Sequence, residues 1–168
     1  MVAGGGIAGI CCAIAASRSG LRVALVHNRP VLGGNNSSEI RIALSDRSNF
    51  ELYPNVGNIV KTLEYPEVTR KVKQGQASTD MWREWDKLKL DRVKAERNID
   101  LFLSLHISSV QMERSAIESA TAIEPRTGAE LSFSAPLFVD CTGDANQRQI
   151  LSERHQVKLE LGNWILQQ

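Results

Sequence analysis

Apolar positions fall into short runs of differing period along the 168-residue chain. Val2 and Ala3 precede three consecutive glycines, and residues 7–19 then string together small and aliphatic side chains with no charge before Arg18. That stretch predicts a helix, with Gly20 as its C-terminal stop. Residues 21–26 are β-branched and aliphatic and predict a strand. Ser78 or Thr79 caps a second helix from Asp80 to about Glu96, with Met81, Trp82, Trp85, Leu88 and Val93 on its apolar face. Its two tryptophans read as core anchors. Residues 98–105 predict a strand that returns to the sheet. After His106 the period shortens: residues 107–112, 117–124 and 129–133, broken at Arg114-Ser115 and at Pro125 to Gly128, predict a three-stranded antiparallel meander. Residues 137–140 predict one more buried strand. Residues 40–78 hold Pro54, Gly57, Pro66 and Gly75 without a clear period, and are expected to be an excursion from the core.

The spacing of the first glycines adds chemistry to this outline. Gly4, Gly6 and Gly9 form G-x-G-x-x-G at the opening of the first helix. A turn of this kind gathers bare main-chain N–H groups and the positive end of a helix dipole around one small volume, which suits a pyrophosphate. Gly4 serves the tight turn, Gly6 the close approach of phosphate, and Gly9 the packing of helix on sheet. Turn, helix and strand follow in the order that a dinucleotide-binding βαβ unit requires. Only Met1, Val2 and Ala3 precede the glycines, whereas a strand usually takes about five or six residues. The first strand is therefore expected to be a stub. The loop from His27 to Ser38 is rich in Gly, Asn and Ser and opens at the carboxyl end of the second strand, where open α/β sheets bind ligands.

Composition narrows the alternatives. A net charge of +1 gives no electrostatic reason to expect nucleic acid or a membrane surface as partner. The first sixteen residues lack the basic start of a secretory signal and are too short to span a bilayer. Three cysteines, an odd number with an adjacent pair at Cys11 and Cys12, disfavour a disulfide framework and favour a reducing, cytoplasmic setting. His27, His106 and His155 are scattered, so no metal site is expected.

Three separated segments carry a family resemblance: Val-Ala-Gly-Gly-Gly-Ile-Ala-Gly at residues 2–9, Arg-Pro-Val-Leu-Gly-Gly-Asn-Asn-Ser-Ser-Glu-Ile-Arg at 29–41, and Asp-Cys-Thr-Gly-Asp at 140–144. In this order they resemble the FAD-dependent oxidoreductases of the glutathione-reductase-like fold, with a Gly-Gly-Asn loop similar to that of fumarate-reductase-type flavoproteins. The resemblance implies a Rossmann-like α/β FAD/NAD(P)-binding domain over residues 1–150, a parallel sheet flanked by helices and carrying the antiparallel meander. It implies FAD as cofactor. Gly4, Gly6, Ile7, Ala8 and Gly9 would cradle the pyrophosphate. His27, with Asn28 and Arg29 beside it, stands where the family usually has an acidic residue for the adenosine ribose. Gly33, Gly34, Asn35, Ser37 and Ser38 would run along the pyrophosphate and ribityl chain, Ile107 would contact adenine through its backbone, and Thr142, Gly143 and Asp144 would close over the cofactor.

Family members continue beyond the Thr-Gly-Asp segment into a substrate domain. The chain is accordingly expected to be a truncated member, with residues 151–168 an irregular tail. The leading functional expectation is an oxidoreductase, or its dinucleotide-binding portion, that moves a hydride or electron pair through flavin. A non-catalytic nucleotide-binding module is the first alternative. An NAD(P)-binding Rossmann domain, with Arg29 reading a 2′-phosphate, is the second. No catalytic residue stands out. Glu39 and Arg41, just past the loop, read as exposed partners for each other or for solvent. Substrate, electron acceptor and oligomeric state have no signal in the sequence.

Overall fold

Successive side chains of a strand point to opposite faces, and this alternation sorts the core into two halves around a central sheet. The computed structural model describes residues 1–44, 57–114 and 116–143. Strand β1 (Val2–Ala3) leads into helix α1 (Ile7–Arg18) and strand β2 (Val23–Val26). A 3₁₀ turn at Gly34–Asn36 is followed by α2 (Asn58–Leu63), α3 (Pro66–Lys73) and α4 (Thr79–Lys94). Then come β3 (Ile99–Phe102), the meander β4 (His106–Glu113), β5 (Ala116–Ile123) and β6 (Glu130–Ser134), and finally β7 (Val139–Asp140).

Four strands form a parallel sheet in the order β3-β2-β1-β7, and β1 sets its register, with Val2 opposite both Leu25 and Val139. On one face Val2, Val23 and Leu25 pack against Ile10, Ala13 and Ile14 of α1. On the other, Ala3 and Val26 meet Leu105, just before the meander, and Ile107, Val110, Ala120 and Ala122 within it. Phe102 and Phe133 meet edge to face across that second layer, 5.0 Å between centroids. The fold class is the expected one: a parallel sheet with helices on one side and a three-stranded antiparallel meander, β4-β5-β6, on the other.

Local chemistry fixes the ends of the helices. Helix α1 stops in a Schellman motif, with Gly20 N–H donating to the Ser17 carbonyl and Leu21 N–H to that of Ala16, both at 3.0 Å. Ser78 caps α4, its hydroxyl oxygen accepting the Met81 N–H at 3.3 Å. Trp82 and Trp85 stack at 5.3 Å, and the Trp85 indole N–H donates to the Leu63 carbonyl at 2.7 Å, tying α4 to α2.

Three expectations need correction. Part of the aperiodic excursion is helical: α2 and α3 have six and eight residues, too short for a period to show, yet Leu63 and Val68 are fully buried. Residues 45–56 of that excursion lie outside the described residues. The last strand is not buried: among the described residues β7 is the outer strand of the sheet, with Val139 37% exposed and Leu137 just before it 66% exposed. The inward face of α4 also differs, since Asp86 and Lys89 are buried in it while Met81 and Leu88 are only half-buried.

Candidate functional site

Strands β2 and β3 lie on one side of β1 and β7 on the other, so the chain reverses its lateral order beside β1. A crevice forms at the carboxyl end of such a reversal. Here it is a cleft of about 500 Å³, and it brings together Gly4, Gly6, Ile7, Ala8, His27, Asn28, Arg29, Gly33, Gly34, Asn35, Ile107, Thr142 and Gly143 from five separate stretches of chain. Asn36, Ile42 to Leu44, His106 and Cys141 also line it. None of these stood out from the sequence as a cofactor contact, although Asn36 and Cys141 lie within the motifs at residues 29–41 and 140–144. Asn36 repeats its neighbour's type, Ile42 to Leu44 and His106 reach the cleft only through the folding of the loop and the start of β4, and Cys141 reaches it from the end of β7.

The glycines of the turn divide by what a side chain would meet. Gly4 has φ +101°, and a Cβ there would run into the Cys141 carbonyl. A Cβ on Gly9 would run into the Gly4 carbonyl oxygen, so Gly9 sits behind the turn and does not line the cleft. Gly6 is different: it is the N-cap of α1, and a Cβ built on it meets no described atom within 4 Å. The space that a side chain would fill there opens on the cleft, beside the first-turn N–H groups that have no acceptor within the helix. Bare amides beside open space at a helix N-terminus suit an anionic group.

The Gly33 loop forms the facing wall. Gly33 N–H donates to the Gly5 carbonyl at 2.8 Å, and Gly6 and Gly33 form a parallel bridge. Gly33 has φ +116°, which turns the chain into the 3₁₀ segment. That turn carries Ser37 and Ser38 out of the cleft, contrary to expectation. Ser37 is fully buried, its hydroxyl accepting the Glu39 N–H at 3.3 Å, and the Ser38 N–H donates to the Asp86 carboxylate. Thr142 donates to Asp140 Oδ1 through both N–H (3.0 Å) and hydroxyl (2.7 Å), which curls the chain after β7 toward the turn. Asp144 lies outside the described residues.

His27 also departs from its expected role. Its imidazole turns inward, with Nδ1 accepting the Gly5 N–H at 3.0 Å and a buried Nε2 that has no hydrogen-bond partner among the described residues. Burial pushes its pKa down to about 4, against a smaller opposing effect from the Val31 carbonyl. The ring is therefore a neutral acceptor beneath the turn, and the exposed side chain at this end of β2 is that of Asn28. Arg29 pairs with Glu39 at 3.4 Å, while Arg41 instead donates to the Ser38 carbonyl at 2.9 Å. Behind the turn, a hydrogen bond with the Cys141 thiol holds Cys12 down to about 7, and the same contact raises Cys141.

Comparison with known proteins agrees with this architecture. A family model described as FAD dependent oxidoreductase matches residues 1–162. Among solved structures, that of Thermovibrio ammonificans THI4 superposes with a TM-score of 0.60 at 14% identity, covering 95% of this chain and 62% of that one. The L-proline dehydrogenase from P. horikoshii gives 0.55 at 13% identity, covering 91% and 55%. The p-nitrophenol 4-monooxygenase from Pseudomonas putida gives 0.54 at 10%, covering 89% and 41%. The chain thus spans about two fifths to three fifths of the length of these proteins. At such identities the likeness is one of fold. No curated protein matches the sequence.

Proposed function

The chain belongs to the family of FAD dependent oxidoreductases, and on that premise we propose that its cleft holds FAD by the pyrophosphate at the Gly4 to Gly9 turn. Residues 1–150 are the binding unit in this reading. FAD, the family's cofactor, supplies the capacity to accept or donate a hydride or an electron pair. The chain's own residues bind and orient. The first-turn amides and the dipole of α1 neutralise the diphosphate, and Gly33, Gly34 and Asn35 flank it from the opposite wall. The Asn28 amide oxygen takes the ribose hydroxyl that an acidic residue would otherwise meet. Ile107 borders the adenine through its backbone, and Thr142 with Gly143 closes the side next to β7. The pairing of Arg29 with Glu39 weighs against a 2′-phosphate as its ligand.

The single observation that supports this reading best is the free space at Gly6. Every other glycine of the turn is required by the protein's own atoms, and this one is not. The test is a fluorescence titration of FAD into wild type and Gly6→Val. The variant should keep the wild-type circular dichroism and lose less than about 1 kcal/mol of stability, the cost of a poorer N-cap, while its FAD affinity falls by at least about a hundredfold, some 2.7 kcal/mol. Equal affinities in the two proteins would remove the phosphate cradle from the account.

A further inference from the structure

Beneath the Gly33 loop lies an ion pair that a solvent-facing helix would not need. Lys89, on α4, is 0% exposed, and it spends its donors on three acceptors: Asp86 Oδ1 at 3.0 Å, Asn36 Oδ1 at 3.3 Å, and the Asn36 main-chain carbonyl. An ammonium carries three N–H groups, so the charged form is fully matched. The Trp85 ring flanks it, 5.4 Å from centroid to nitrogen. Asp86 in turn accepts the Ser38 N–H at 3.1 Å. Asn36 passes the constraint on, its amide donating to the Ile42 carbonyl at 2.8 Å. A Cβ on Gly33 would lie 2.7 Å from the Lys89 nitrogen, so the ammonium sits directly behind the cleft-facing glycine. Neither Lys89 nor Asp86 lines the cleft.

We infer that Lys89 and Asp86 are positioning residues that hold the 33–42 loop in the shape that receives the cofactor. The inference rests on the FAD reading for the identity of the ligand, but its mechanical part does not. A buried ion pair stripped of one member leaves an uncompensated charge and a loop without its anchor.

The test uses the full chain with Lys89→Met, Asp86→Asn and the double variant, at a temperature where thermal melts show all of them folded. Two quantities are read: FAD affinity, and hydrogen exchange at the amides of Asn36, Ser38, Arg41 and Ile42. The expected result is at least a tenfold loss of FAD affinity in each single variant, and a double variant within about threefold of the singles because the two act as one unit. Exchange at those four amides should quicken at least tenfold while that of α1 and β2 stays unchanged, a split that a general loss of stability would not give. Unchanged loop exchange in both single variants overturns the inference, as does acceleration spread evenly over the chain. If wild type takes up no FAD while loop exchange responds as stated, the FAD reading fails and the loop-holding role stands; if wild type binds FAD and loop exchange is unmoved, the reverse holds.

Discussion

Gly6 and Gly9 carry the same side chain for opposite reasons. A side chain at Gly6 would meet no described atom within 4 Å; one at Gly9 would meet the protein's own Gly4 carbonyl. Gly9→Ala should therefore destabilise the fold by about 1–3 kcal/mol, since its methyl would part α1 from the Gly4 carbonyl. Chemical denaturation measures this directly, and a variant as stable as wild type would contradict it. His27 offers a second residue-scale prediction. Its folded pKa of about 4 lies below the usual 6.5, so the unfolded chain binds the extra proton. The stability this contributes is complete above about pH 6.5 and drains away as pH falls toward 4. His27→Asn keeps an acceptor near the Nδ1 position and should flatten that loss. His27→Leu should cost about 1–3 kcal/mol at neutral pH by stranding the buried Gly5 N–H. Denaturant midpoints from pH 4 to 8 check both. The sequence made the glycines legible through their spacing. It did not reveal the direction of the imidazole, because a histidine at a strand end can face either the ligand or the backbone.

At the scale of elements, legibility followed length and period. Helix α4 and the meander showed themselves because sixteen residues of helix and three strands of five to eight residues repeat their pattern several times. Helices α2 and α3 did not, being stabilised by burial of Leu63 and Val68 from outside their own span. The ion pair within α4 was equally hidden: Asp86 and Lys89, three residues apart, look like any exposed charged pair until the loop folds over them. The indole of Trp85 predicts how firmly these elements hold together. Trp85→Phe removes the donor to the Leu63 carbonyl and part of the ring, and should cost about 2 kcal/mol or more. A melt that leaves the midpoint unchanged would mean that α2 does not depend on α4.

For the molecule as a whole, among the described residues, the four-stranded sheet packs on helices at one face and on the meander at the other, and the turn, the Gly33 loop and the segment after β7 converge at the carboxyl end of its strands. Among the described residues no helix is long and apolar enough to cross a membrane. The order of three short motifs conveyed this arrangement, because each sits at the carboxyl end of a strand; the outward course of Ser37 and Ser38 did not follow, since it depends on two successive left-handed glycines, Gly33 and Gly34. If FAD binds the folded chain and not the unfolded one, ligand at a hundred times its dissociation constant should raise stability by about 2.7 kcal/mol, visible as a higher melting temperature. The most direct measurement is a crystal structure of the chain with FAD. The account predicts diphosphate oxygens within hydrogen-bonding distance of the main-chain amides that begin α1, facing Gly6; FAD bound elsewhere, with that turn filled by protein or solvent alone, would contradict it.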